Sequence, residues 1–132
     1  MINITVRVHH VICMQSFIGK GYSKEFTENF SSIIQYLKLN PIQKCIKLVD
    51  YCDNICKYCP NRTQSNQCKN EIFIKYLDNS YKSICNFSYA KQYSLDEINS
   101  IIKNSITINK FKIICSKCQW FGICSKLIKN II

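Results

Sequence analysis

Ser23-Lys24-Glu25-Phe26-Thr27-Glu28-Asn29-Phe30, continuing through Ile33, Ile34 and Leu37 to Asn40-Pro41, decides how the chain folds. Ser23 is a suitable N-cap. Phe26, Phe30, Ile33, Ile34 and Leu37 then fall at i, i+4, i+7, i+8 and i+11, which is the apolar stripe of a core-facing helix. Asn40-Pro41 ends it, because the residue before a proline is pushed out of the helical region. On its N-terminal side, Ile2, Ile4, Val6 and Val8 alternate with Asn3, Thr5, Arg7 and His9, so residues 2–8 read as a strand. On its C-terminal side, Cys45 to Tyr51 is a second short strand candidate.

Working outward, residues 9–22 read as a loop that carries His10, Cys13 and Gly19-Lys20-Gly21. Residues 52–68 hold cysteines and Pro60 and are too polar and broken for regular structure. Residues 70–78 suggest a short helix, and 79–93 a loop. Ser94 with Glu97 forms a capping box ahead of Leu95, Ile98, Ile101 and Ile102. Residues 107–114 fit helix or strand equally. A second cysteine turn spans 115–124, and a short apolar helix is expected over 125–131. The sum is one small α+β domain over residues 1–132, with a short sheet, three to four short helices and two cysteine-rich metal-binding turns.

A chain of 132 residues suits one domain, and 47% hydrophobic residues can fill a moderate core. Ten cysteines call for oxidation, metal or chance. The N-terminus has no basic n-region, Arg7 interrupts its apolar run, and no small-residue cleavage site follows. No stretch approaches the ~18 apolar residues of a membrane-spanning helix. A cytoplasmic, reduced protein without membrane association is therefore expected, where clustered cysteines mean metal or redox chemistry. The net charge of +10 is spread evenly, and the abundance of Ile and Asn points to codon bias, so a nucleic-acid partner is not expected. Metallation also lowers the sum: a four-thiolate [4Fe–4S]²⁺ site carries about −2.

Two constellations carry chemistry. Cys56-Lys-Tyr-Cys59-Pro60 is followed by Cys68, and Cys115-Ser-Lys-Cys118 by Cys124. Thiolates at i and i+3 grip one metal centre because a tight turn brings both sulfurs to the same side, and the Cys-Pro ending resembles bacterial ferredoxin motifs. Each group supplies three sulfurs. Cys13 can supply a fourth to one group, and His10, three residues before Cys13, an eighth ligand overall. The alternative reading of His10 is a hydrogen-bonded loop histidine. Cys45, Cys52 and Cys85 fit no spacing and read as structural, although Cys52, four residues before Cys56, can substitute as a ligand. Sulfur-only ligands suit zinc as well as iron–sulfur clusters, but the trailing cysteines fit clusters better than paired zinc knuckles. Trp120, inside the second group, is placed to exclude water from a cluster or simply to fill core.

Gly19-Lys20-Gly21 before a helix can bind an anion through backbone N–H groups. It lacks the P-loop spacing, and a tight turn needing positive φ is the simpler reading.

Four phrases together resemble one family: His9-His10-x-x-Cys13; Phe17-x-Gly19-Lys20-Gly21-Tyr22-Ser23-x-x-Phe26; Asp53-x-Ile55-Cys56-x-x-Cys59-Pro60; and Ile114-Cys115-x-x-Cys118-x-Trp120. The set resembles domain of unknown function 1284, a family of bacterial and archaeal proteins of about this length, over nearly the whole chain. The resemblance implies iron–sulfur binding with no reaction attached, and points to Cys13, Cys56, Cys59, Cys68, Cys115, Cys118 and Cys124. The leading expectation is one or two iron–sulfur clusters, of the 4Fe–4S type, serving electron transfer with a redox partner protein. The alternatives are a zinc-stabilised interaction module and an iron–sulfur enzyme with an open iron position near His9, His10 and Lys20.

Overall fold

The computed structural model describes residues 3–19 and 21–128. Strand β1 (Ile4–Arg7) runs straight into helix α1 (Val8–Cys13). The expected strand is thus shorter, and the expected 9–22 loop opens with a helix. Ile4 and Val6 alternate into the core, but Val8 and Val11 must also be buried. A turn of helix brings both inward where a continuing strand would turn one face out. A 3₁₀ turn over Met14–Ser16 follows.

Helix α2 (Lys24–Leu39) begins where Ser23 Oγ accepts the N–H of Phe26 at 3.1 Å. It buries Phe26, Phe30 and Leu37 and ends at Asn40. The chain then returns as β2 (Ile46–Val49), parallel to β1 with Ile4 opposite Ile46 and Val6 opposite Leu48. A two-residue strand, β3 (Gln92–Tyr93), pairs antiparallel to β2 and completes the order β1-β2-β3.

Helix α3 (Glu71–Cys85) runs well past the expected boundary at residue 78 and occupies much of the segment read as a loop. It stops at Asn86, whose left-handed φ of 55° forms a C-cap closed by Phe87 N–H on Lys82 O at 3.1 Å. The Ser94–Glu97 capping box is present and starts α4 (Leu95–Ser105). The ambiguous segment is helix α5 (Ile108–Cys115), capped by Thr107 Oγ1. The last helix, α6 (Phe121–Leu127), begins inside the second cysteine group; residues 129–131 of the expected helix lie outside the described residues. Six helices are thus present among the described residues, against three to four expected, in a mixed α+β fold. One apolar cluster joins the sheet to all the long helices.

Gly19 has φ +83°, which supports the tight-turn reading of its segment. Gly21 is needed for space: a Cβ there would lie 2.5 Å from a Phe26 ring carbon. Lys20 and Ile2 lie outside the described residues, and with Lys20 the anion reading of that segment.

Candidate metal centre

The β1–α1 junction organises the site. Arg7, the last strand residue, is fully buried, and its guanidinium bonds Asp78 Oδ2 at 2.8 Å, Glu71 Oε2 at 2.7 Å and the Asp50 carbonyl at 3.0 Å. A buried guanidinium must be neutralised and its donors filled, and α3 supplies both carboxylates. Asp78 also accepts the His9 N–H at 2.9 Å and faces His9 Nδ1 at 2.7 Å. Burial, the neighbouring His10 and Arg7 lower the His9 pKa against the opposing pull of Asp78, so its imidazole is held neutral.

Asp53 does for the next segment what Asp78 does for α3. Its carboxylate accepts the Arg7 N–H at 2.5 Å and the Cys56 N–H at 2.9 Å, and faces His10 Nδ1 at 2.6 Å. Burial works to raise its pKa, but His10 and the two N–H donors outweigh it and bring the group down to about 2. His10, Asp53 and Cys56 offer ligand atoms within 4.8 Å of one another, an arrangement that can hold a metal ion. With three donors already on it, Asp53 serves here as the buried acceptor that fixes His10 and the Cys56 turn.

The cysteines fall into two groups. In the first, Cys13 at the end of α1 meets Cys115, the last residue of α5, Cys118 in the turn that follows it, and Cys124 inside α6. All four line one pocket whose walls include Leu77, Phe111 and Phe121. Burial raises the Cys13 pKa well above a normal thiol, and the proximity of Cys118, Cys124 and Cys115 raises it further. Cys115 is pushed up to about 12 by burial, with an opposing hydrogen bond from Tyr81, whose hydroxyl lies 2.7 Å from Sγ. The Cys118 N–H to Cys115 carbonyl bond, 2.9 Å, makes the tight turn expected of a Cys-x-x-Cys pair.

In the second, the Cys59 N–H to Cys56 carbonyl bond, 3.0 Å, makes the equivalent turn. The chain then doubles back through an isolated antiparallel bridge between Arg62 and Cys68. Cys68 N–H donates to Glu71 Oε1 at 3.0 Å, which ties this group to the Arg7 network. Cys52 joins the group: its thiol is close enough to feel Cys56 and Cys68. Burial raises the pKa of Cys52, Cys56 and Cys59, with Cys68 and Cys52 raising Cys59 further. Cys45 and Cys85 pack into the apolar core, and neither lines the pocket of the first group. All ten cysteines are free thiols.

The seven cysteines singled out in the sequence are therefore divided four and three, with Cys52 beside the three. His10 lies against the second group through Asp53. Asp53, Asp78, Glu71, Arg7 and Tyr81 carry the site and were not singled out. Asp53 had a signal, since an aspartate three residues before a turn N–H is a capping position. The others are joined only by the tertiary fold.

A mixed α+β protein, cysteine-rich and with a cluster of groups able to bind metal, is what this fold and site define. The chain belongs to the family described as protein of unknown function, DUF1284, whose model matches residues 21–124 and so spans nine of the ten cysteines. No curated protein and no solved structure matches it. Among the described residues, no helix is long and apolar enough to cross a membrane.

Proposed function

We propose that the chain is an iron–sulfur protein of a reducing compartment, the cytoplasm, that transfers electrons through two thiolate-bound centres. Cys13, Cys115, Cys118 and Cys124 would hold one, and Cys52, Cys56, Cys59 and Cys68 the other. The observation that carries this reading is the meeting of Cys13 with a cysteine group more than a hundred residues away in sequence. Four thiols line one apolar pocket, and burial and mutual repulsion raise the pKa of Cys13, Cys115 and Cys118; such thiols are donors that a cationic centre converts to thiolates. An iron–sulfur cluster supplies one-electron chemistry, with a potential set by burial and by hydrogen bonds to sulfur.

The protein's own groups would tune each centre. Tyr81 O–H is positioned to donate to Cys115 Sγ, and Leu77, Phe111 and Phe121 exclude water. Asp53 fixes the Cys56 turn through its N–H. Tyr22 lies between the groups, close enough to feel Cys13, Cys118 and Cys59, and meets Trp120 edge-on at 5.4 Å.

Anaerobic purification, a visible spectrum and iron, sulfide and zinc content test this. Broad absorbance near ~400 nm with about 8 iron and 8 sulfide per chain supports two cubane clusters. Colourless protein with stoichiometric zinc and no sulfide would replace the reading with a zinc-stabilised interaction module.

A further inference from the structure

A second cavity lies on the other side of the Cys13–Cys118–Cys124 edge, and its walls are not those of a simple metal pocket. Phe17, Phe30 and Trp120 line it, together with His9, His10 and Ser16. Its volume is about 80 Å³.

Three features point to an occupant. Ser16 is only 5% exposed, and its hydroxyl has no hydrogen-bond partner although it lies on the cavity. A buried hydroxyl left unpaired costs on the order of 1–3 kcal/mol, so a partner for it is the missing element. Next, His9 and His10 both present Nδ1 to carboxylates, at 2.7 and 2.6 Å. For His9, whose ring is held neutral, Asp78 fixes the proton on Nδ1 and leaves Nε2 as an acceptor. Apart from the cysteine edge, the walls are otherwise apolar, aliphatic and aromatic, with the Phe17 and Phe30 rings 4.5 Å apart. Flat apolar walls with a few convergent polar groups are the usual make-up of a small-molecule site.

Charge and size narrow the class. Cys13, Cys118 and Cys124 line the cavity, and Asp53 and Asp78 stand behind its two histidines, so the negative or potentially negative groups near it disfavour an anion. An engineered apolar cavity of about 150 Å³ accepts benzene, so this smaller one takes no more than a single small ring. We propose that the cavity formed by Ser16, His9, His10, Phe17, Phe30 and Trp120 binds a small, uncharged, planar molecule that donates a hydrogen bond to a histidine and accepts one from Ser16. An N–H azole is the chemical type, and the site holds it beside the first cysteine group. The inference does not rest on the identity of the metal.

The experiment is saturation-transfer proton NMR on the protein as purified anaerobically, with pyrazole as the probe and isoxazole as the same-sized ring without a donor. A five-atom ligand is expected to bind with a Kd on the order of 1 mM. Pyrazole should receive saturation and isoxazole should bind about tenfold more weakly. Ser16→Ala should weaken pyrazole about threefold to tenfold, and Ile123→Phe, a half-buried wall position chosen to spare the core, should abolish it. No transfer to pyrazole, equal binding of isoxazole, or indifference to both substitutions would overturn the proposal. A visible-spectrum change on adding pyrazole that Ser16→Ala leaves unaltered would also overturn it, because the probe would then be binding metal.

Discussion

The imidazoles of His9 and His10 lie with their centroids 4.3 Å apart, tilted by 45°, yet each is tied to a different carboxylate. Asp78 of α3 holds His9, and Asp53 of the cysteine loop holds His10. Adjacent residues of one short helix thereby clamp two segments that are 25 residues apart in sequence. Cys13 lies one turn further along the same helix and reaches the C-terminal cysteine group. Helix α1 thus connects both groups of thiols.

The two clamps make stability fall in acid in two stages. His9 has a lowered pKa, so the unfolded chain binds its proton more readily than the folded one. That contribution is present above the unfolded value near 6.5 and is lost as pH falls below it. Asp53 is depressed from 3.8 to about 2. Its contribution, about 2 kcal/mol by linkage, is present above pH ~4 and lost as pH falls towards 2. Urea midpoints measured from pH 8 to pH 2 should decline in both windows. Asp53→Asn should remove the lower step, and a profile unchanged by that substitution would contradict the assignment.

Cys52 separates the proposed ligand set from the one legible in the sequence. Cys52→Ala should lower metal content as far as Cys59→Ala does, whereas Cys45→Ala and Cys85→Ala should leave it unchanged. Cys124→Ala should affect the first centre alone. Metal analysis of the five variants checks this. Full metal retention in Cys52→Ala would return the fourth position of the second group to His10.

Tyr81→Phe removes the hydroxyl 2.7 Å from Cys115 Sγ and little else. Hydrogen bonds to cluster sulfurs stabilise the reduced, more negative state. The substitution should lower the potential of one centre and leave the other unmoved. Redox titration followed by EPR reads this directly. Equal shifts in both centres, or none, would remove Tyr81 from the first centre.

Local signals carried far in this chain where the residue and its partner are close in sequence. Ser23, the stripe from Phe26 to Leu37, Asn40, and the Ser94–Glu97 box each act within a turn or two, and all appear as expected. By sequence, helix α3 is expected to end at Asp78, ahead of the polar pair Asn79-Ser80. Asp78 is instead fully buried, satisfied by Arg7 and His9 about 70 residues away. The same distance hid the role of Arg7, which reads as an interruption in an apolar run. Cys52 reads from its spacing as a structural thiol or at most a substitute ligand, and only the return of the chain at Cys68 brings it into a group of four.

Metal removal should act first on the second group. Residues 63–67 are all exposed, and little apolar burial holds the return of Cys68 to Cys59. Coupled ligation and folding then provide the order there. Chelation under reducing conditions should expose residues 52–68 to proteolysis and hydrogen exchange before the sheet opens. Equal protection with and without metal would show that this loop folds unaided.

Arg7 is where the strand, α3 and both clamps meet, so its removal is the most severe single change. Arg7→Met keeps the apolar stem but leaves Asp78, fully buried, and Glu71, 17% exposed, without their cation. Breaking a buried pair in this way costs about 3–5 kcal/mol. Replacing both partners of a buried pair by apolar groups often restores stability. It should not do so here, because Asp78 also accepts the His9 N–H and faces its Nδ1. Arg7→Met/Asp78→Leu would orphan those groups in a dry pocket. Chemical denaturation of the wild type, the single and the double variant decides this. A double variant as stable as the wild type would mean that His9 does not depend on Asp78, and the clamp on α3 would reduce to a salt bridge.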